Sequence, residues 1–293
     1  MDNIRTLKSV SGLILVIAVV ILASCAGCTS GQDEGAAPAD GKIMIATSII
    51  PSGTFIEKVA GDHTRVMVMI PKGASPATYD PTPEQMVALS DAALYVKVGS
   101  PLPFETKHLQ NFIESNPDMQ VVDASEGISV KDNDPHIWNS PKNAIIMVQN
   151  IASALEVADP ANATDYRANA ESYTEELIAL DNEITTLFSD SPESSFMIFH
   201  PAWSYFADTY AIEQIPIELE GKEPGPKQIA SLITRAQEGG IHIIFTDPQF
   251  SSKSAETIAA QINGQVLPAD PLAENYTENL RSFAEAVWEA NSD

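Results

Sequence analysis

Between Asp159 and Asp190 the apolar residues Tyr166, Ala170, Tyr173, Leu177, Leu180, Ile184 and Leu187 recur at alternating four- and three-residue steps. That spacing puts one stripe along one face of a single long helix. At 1.5 Å per residue, about 27 such residues span roughly 40 Å, the length of a two-lobed molecule. A rod of that length in the middle of a 293-residue chain restricts the fold severely. The chain on either side of it must close a core of its own.

Both flanks read as alternating strands and helices. Before the stripe, apolar runs at Lys42 to Thr47, Thr64 to Ile70, Ala92 to Val98 and Met119 to Val122 are separated by helical patterns at Pro83 to Leu89 and Pro103 to Ile113, each opened by a proline near its first turn. After it, strands are expected at Ser195 to His200, Ala211 to Ile217, Gly240 to Asp247 and Gly264 to Asp270. Helices are expected there at Lys227 to Gln237, Ala255 to Gln261 and Asn275 to Ala290. The fold class predicted is therefore α/β: two similar parallel-sheet lobes joined by one connecting helix, with the ligand site in the cleft between them. The expected boundaries are 42–158 for the N-terminal lobe, 159–190 for the helix and 191–293 for the C-terminal lobe.

The first 41 residues read differently. Arg5 and Lys8 precede an apolar run from Leu13 to Ala23, the layout of a secretory leader. Leu22-Ala23-Ser24-Cys25 and Ala26-Gly27-Cys28 both resemble lipoprotein cleavage boxes, so residues 1–28 are expected to be a signal peptide with lipidation at Cys25 or Cys28. The Gly-, Ala-, Asp- and Pro-rich stretch 29–41 reads as a flexible tether. Both cysteines lie in the leader, so the body has no disulfide and depends on its core. With 40 acidic against 16 basic residues the net charge is −24, which repels nucleic acid, and no nucleic-acid partner is expected.

Ligands of open α/β sheets bind beyond the carboxyl ends of strands. His200, Asp247 and Asp270 each end an expected strand of the second lobe, and His136, in Asp134-Pro135-His136-Ile137-Trp138 after the last strand of the first, is placed to face them. Imidazole and carboxylate together suit Zn²⁺ and, less well, Mn²⁺. Each residue taken singly is as readily a strand-end cap or a locally bonded loop residue. The histidines at 63, 108 and 242 are expected to be solvated or satisfied locally.

Six segments occur in an order that resembles the zinc and manganese solute-binding proteins of ABC transporters, the cluster A-I family: Pro71-Lys72-Gly73-Ala74-Ser75-Pro76-Ala77-Thr78-Tyr79-Asp80-Pro81-Thr82-Pro83, Asp134-Pro135-His136-Ile137-Trp138, His200-Pro201-Ala202-Trp203-Ser204-Tyr205-Phe206, Gly221-Lys222-Glu223-Pro224, Asp247-Pro248-Gln249-Phe250 and Asp270-Pro271-Leu272. The resemblance implies two lobes bridged by a rigid helix, a metal bound between them, and delivery to a permease driven by an ATPase. Carried over residue by residue, it implies His136, His200 and Asp270 as metal ligands. A histidine at position 200 is similar to the zinc-type members, so Zn²⁺ is expected, with Mn²⁺ as the alternative. Glu223 and Asp247 are read as structural or near-site acids that orient a ligand imidazole.

One departure stands out. The family's fourth ligand is a histidine where this chain has Ala77. Water, Tyr79, Asp80 or Asp134 would then complete the shell. The alternatives are a degenerate site that binds another small ligand, a surface adhesion module, and a three-ligand zinc hydrolase. The chain contains no H-E-x-x-H or G-x-S-x-G, and no enzyme is expected. The reading is an extracytoplasmic, lipid-anchored, monomeric solute-binding protein that captures a divalent metal at the outer face of the cell membrane.

Overall fold

The computed structural model describes residues 42–131, 134–189, 194–218 and 221–292. The expected leader and tether, with both cysteines, lie outside the described residues. Strands β1 (Ile43–Thr47), β2 (Thr64–Val68), β3 (Leu94–Lys97) and β4 (Gln120–Asp123) form one parallel sheet in the order β2-β1-β3-β4. Strands β5 (Ser195–Ile198), β6 (Glu213–Pro216), β7 (Ile243–Thr246) and β8 (Gln265–Pro268) form a second in the matching order β6-β5-β7-β8. The two lobes thus share one topology, and each has its switch point between its two central strands, where a crevice opens beyond the carboxyl ends.

Helices α1 (Ile50–Ala60), α2 (Pro83–Leu89) and α3 (Pro103–Ser115) belong to the first lobe. Then come α4 (Pro141–Ala158) and α5 (Ala163–Phe188), and in the second lobe α6 (Ser204–Thr209), α7 (Pro226–Glu238), α8 (Lys253–Gln261) and α9 (Tyr276–Ala290). The long helix expected from the apolar stripe is α5, 26 residues, and it begins later than Asp159 because Pro160–Asn162 makes a separate 3-10 turn. Its buried face is Tyr166, Ala170, Tyr173, Leu177, Leu180, Ile184 and Phe188, with Phe188 in the place expected for Leu187. It packs on α1, α4 and α9, so one core reaches from the first lobe into the second, which also keeps a smaller cluster of its own around Ile215, Leu232 and Ile258.

Helices α1, α4 and α6 were not expected from sequence. The start of α1, Ser52-Gly53-Thr54, is made of poor helix formers, yet a Cβ on Gly53 would meet Val68 Cγ2 at 2.7 Å. The glycine lets the helix lie close on β2, and tertiary packing outweighs its helix cost of about 1 kcal/mol.

A buried acid closes the first lobe beneath the cleft. Gly99, at φ +87°, turns the chain after β3 where a Cβ would stand 1.9 Å from Asp123 Oδ1. Its N–H and that of Val98 donate to Glu105 of α3 at 3.2 and 2.7 Å, and the Ser48 hydroxyl donates to the same carboxylate. Burial lifts the Glu105 pKa from 4.5 to about 7, against the pull of these donors. The folded state therefore keeps a proton that the unfolded chain releases. The contribution is fully present below the ordinary carboxylate range and is lost as pH rises through about 7, about 3 kcal/mol in all. Denaturant unfolding across that window is expected to show a fall that is about 3 kcal/mol smaller in Glu105→Gln than in the native protein. An equal slope in both would remove Glu105 as its source.

Candidate functional site

The cleft is built from loops at the ends of strands, and each functional side chain is held by a neighbour. His136 sits in the loop after β4. Asp134 accepts its backbone N–H at 3.0 Å and its Nδ1–H at 2.7 Å, an Asx-type turn that fixes ring and backbone together. Asp134 is itself held from the second lobe by the Ser204 hydroxyl, and Ser100 Oγ donates to the Pro135 carbonyl at 2.6 Å. Burial is the strongest single influence on the Asp134 carboxyl and would raise it, but the hydrogen bonds from His136 and Ser204 and the nearby imidazole together outweigh it and leave the group below its ordinary range. Burial holds the His136 imidazole below its usual value, so the ring is neutral at pH 7.

His200 lies just beyond β5. Its Nδ1–H donates to Glu218 Oε1 at 2.6 Å, its backbone N–H donates to Asp247 Oδ2 at 3.3 Å, and its ring stacks on Phe250 with centroids 4.5 Å apart. Glu218 is only 4% exposed and stands just beyond β6. Both imidazoles thus give Nδ1–H to a carboxylate, the arrangement that presents Nε2 as a metal-ligating lone pair. The two Nε2 atoms face each other across the lobe boundary at 3.3 Å. Two lone pairs at that separation are favourable only with an electrophile between them, a proton or a metal ion. Two nitrogens bound about 2.0–2.1 Å from one tetrahedral zinc ion lie about 3.3–3.4 Å apart, so the pair is spaced as one edge of such a site.

Asp270, in the loop after β8, stands one side chain further back. Its Oδ1 accepts from Gln249 Nε2 at 2.8 Å and from the Leu272 N–H at 2.9 Å. Gln249, not Asp270, lines the cavity that the two histidines share. Among the described residues no group of three or more His, Cys, Asp or Glu side chains is gathered to hold an ion. Asp247 is buried, its Oδ1 has no partner, and burial lifts its pKa to about 7.

The side chains offered for the position at Ala77 have other work. Tyr79 donates its hydroxyl to Gln85 at 2.8 Å, Asp80 pairs with Lys107 and with His108 Nε2 at 3.0 Å, and Asp134 orients His136. Of the other histidines, His63 pairs with Asp165 at 2.9 Å, His108 is buried on α3 with its Nε2 3.0 Å from Asp80, and His242 is exposed just before β7 rather than within the expected strand. Glu223 accepts from Ser254 Oγ at 2.5 Å, away from the imidazoles. Orienting His200 falls instead to Glu218, a residue the sequence motifs did not single out. Its signal was available, since it ends an apolar strand as His200 and Asp247 do.

Comparison with known proteins agrees with this architecture. The family model described as "Zinc-uptake complex component A periplasmic" matches residues 45–290. The chain is 27% identical over 286 residues to the "High-affinity zinc uptake system protein ZnuA" of Bacillus subtilis (strain 168), covering 88% of this chain and 87% of that protein. It is 29% identical over 259 residues to the "Manganese-binding lipoprotein MntA" of Halalkalibacterium halodurans, covering 85% and 84%. A solved structure described as "Crystal structure of ZnuA" superposes with a TM-score of 0.83 at 39% identity, covering 86% of this chain and all of that one.

Proposed function

We infer, from the premise that the chain belongs to the family of the periplasmic zinc-uptake component A, that it captures Zn²⁺ between His136 and His200 and hands it to a membrane permease. The chain is a solute-binding protein of the ABC metal-importer type and not an enzyme. The observation that supports the site is the pair of Nε2 atoms 3.3 Å apart, each ring fixed through Nδ1 by a carboxylate. Asp270 is the third ligand in this reading, freed for the ion when Gln249 turns away from it. Zinc is preferred to manganese because imidazole donors bind zinc well and manganese stands lowest in the order of divalent affinities. The partners are a permease and its ATPase, with the protein held as a monomer at the extracytoplasmic face of the cell membrane through a lipid on Cys25 or Cys28.

The reading is tested by calorimetry on metal-stripped protein. One zinc ion per chain is expected, bound at least about a hundredfold more tightly than manganese, a difference of about 2.7 kcal/mol. Equal affinity would overturn the preference for zinc. Absence of binding by both ions would overturn the metal assignment itself.

A further inference from the structure

The cleft holds far more space than an ion needs. The cavity lined by His136 and His200 measures about 360 Å³, whereas one water-sized occupant takes about 30 Å³. It falls within the span of small-molecule sites, about 300–1,000 Å³. Its walls are mainly apolar: Pro76, Ala77, Leu102, Trp138, Phe250 and Leu272 contribute to them. Space of this kind is poorly suited to a shell of water, because apolar walls offer water few of the two to four partners it requires.

Coordination and charge narrow the occupant further. With His136, His200 and Asp270 as ligands, a tetrahedral ion has one position left. Tyr79, Asp80 and Asp134 are engaged elsewhere. Around a dipositive ion the carboxylates of Asp134, Glu218 and Asp270 already supply three negative charges. A further anion in this low-dielectric space would be repelled, whereas a neutral donor adds no charge. Phe250, stacked on His200 with centroids 4.5 Å apart, makes one wall of the space aromatic, which favours a planar ring over a flexible chain.

We propose that the cargo is a ternary one: zinc held by the chain together with a small neutral heteroaromatic nitrogen donor, of the azole class, whose ring fills the apolar cavity beside Ala77 and whose nitrogen completes the ion's shell. This rests on the zinc reading above and names what accompanies the ion. No covalent step is involved. The donor binds through one lone pair and leaves with the ion.

Zinc affinity of the metal-stripped protein, measured against a chromophoric chelator, is compared with and without 4-methylimidazole, with acetate as the anionic control, after correction for zinc bound by each additive in solution. The azole is expected to tighten zinc binding at least about tenfold, and acetate to leave it unchanged. In Ala77→His the chain itself supplies the nitrogen, so zinc alone should bind more tightly and the azole gain should fall to about onefold. Zinc binding that is intact but indifferent to the azole would overturn this proposal and leave the proposed function standing. An equal gain from acetate would overturn the choice of a neutral donor. Failure to bind zinc under any condition would overturn the proposed function, and this inference with it.

Discussion

Replacing His136 and His200 together by alanine is expected to weaken zinc binding by about a thousandfold or more, at least about 4 kcal/mol. The magnitude comes from the geometry. Each lobe supplies one Nε2 to the pair, and the two nitrogens are 3.3 Å apart, so neither ring has a substitute within reach among the described residues. Loss of both leaves Asp270 as the only proposed ligand, and a single carboxylate holds zinc weakly. The two single variants should not add to the double, because ligands of one ion are coupled.

Glu218→Gln should cost less, about ten- to a hundredfold, because it removes the orienting carboxylate and leaves the imidazole in place. Calorimetric titration of the metal-stripped variants checks all of this. Retention of zinc affinity within tenfold by the double variant would take the ion away from this pair. Removing the rings leaves Asp134 and the buried Glu218 without their imidazole partners, so some stability is lost, and a single cooperative thermal transition of the metal-free double variant would verify that the fold survives.

The second large effect is on stability. Trp138→Ala is expected to destabilise the protein by about 3–5 kcal/mol, the cost of truncating a buried aromatic and leaving a void. Trp138 is fully buried, and it does more than fill space. Its Nε1–H donates to the Pro271 carbonyl in the second lobe at 2.7 Å, and its own carbonyl accepts from the Tyr276 hydroxyl of α9 at 2.7 Å. The next residue, Asn139, donates to the Ala202 carbonyl at 2.8 Å, and Ser140 shares a bond with Thr209 at 3.0 Å. The segment after His136 is thus stitched to the second lobe at several points. Against a total stability of about 5–15 kcal/mol, such a loss is large. Equilibrium denaturation measures it. A change below about 1 kcal/mol would mean that the lobes are held together without this residue. Trp138→Phe keeps most of the apolar volume but not the N–H, and is expected to lose about 1–2 kcal/mol, mainly by leaving the Pro271 carbonyl unpaired.

The long helix shows how far periodicity carries. A strict seven-residue repeat drifts by about 20° per heptad on a straight helix. Over the three heptads from Tyr166 to Leu187 the stripe therefore slips by about 60°, and Phe188 takes over the inward position. The same local rules place β1 to β8 within a few residues, because short apolar runs bounded by turn residues have few other uses. They do not find α1, whose Gly53 makes sense only once β2 lies against it. They do not find α6 either, a single short turn of helix after Trp203 whose buried Tyr205, Phe206 and Ala207 are too few to show a period.

By itself the sequence determined the class of fold, the doubling of the lobes, the family, and the two histidines that meet. The first two come from spacing along the chain, and the last two from the resemblance carried by six short segments in order. Only the tertiary structure decided that Asp134 and Glu218, rather than Glu223, hold the imidazoles, that Asp270 stands behind Gln249, and that Tyr79 and Asp80 are spent elsewhere. It also decided the size and the apolar character of the space beside Ala77. The physical reason is that a hydrogen bond or a cavity wall joins residues far apart in the chain. Glu218 and His200, or Gln249 and Asp270, become partners only when parallel strands bring their carboxyl ends to one edge.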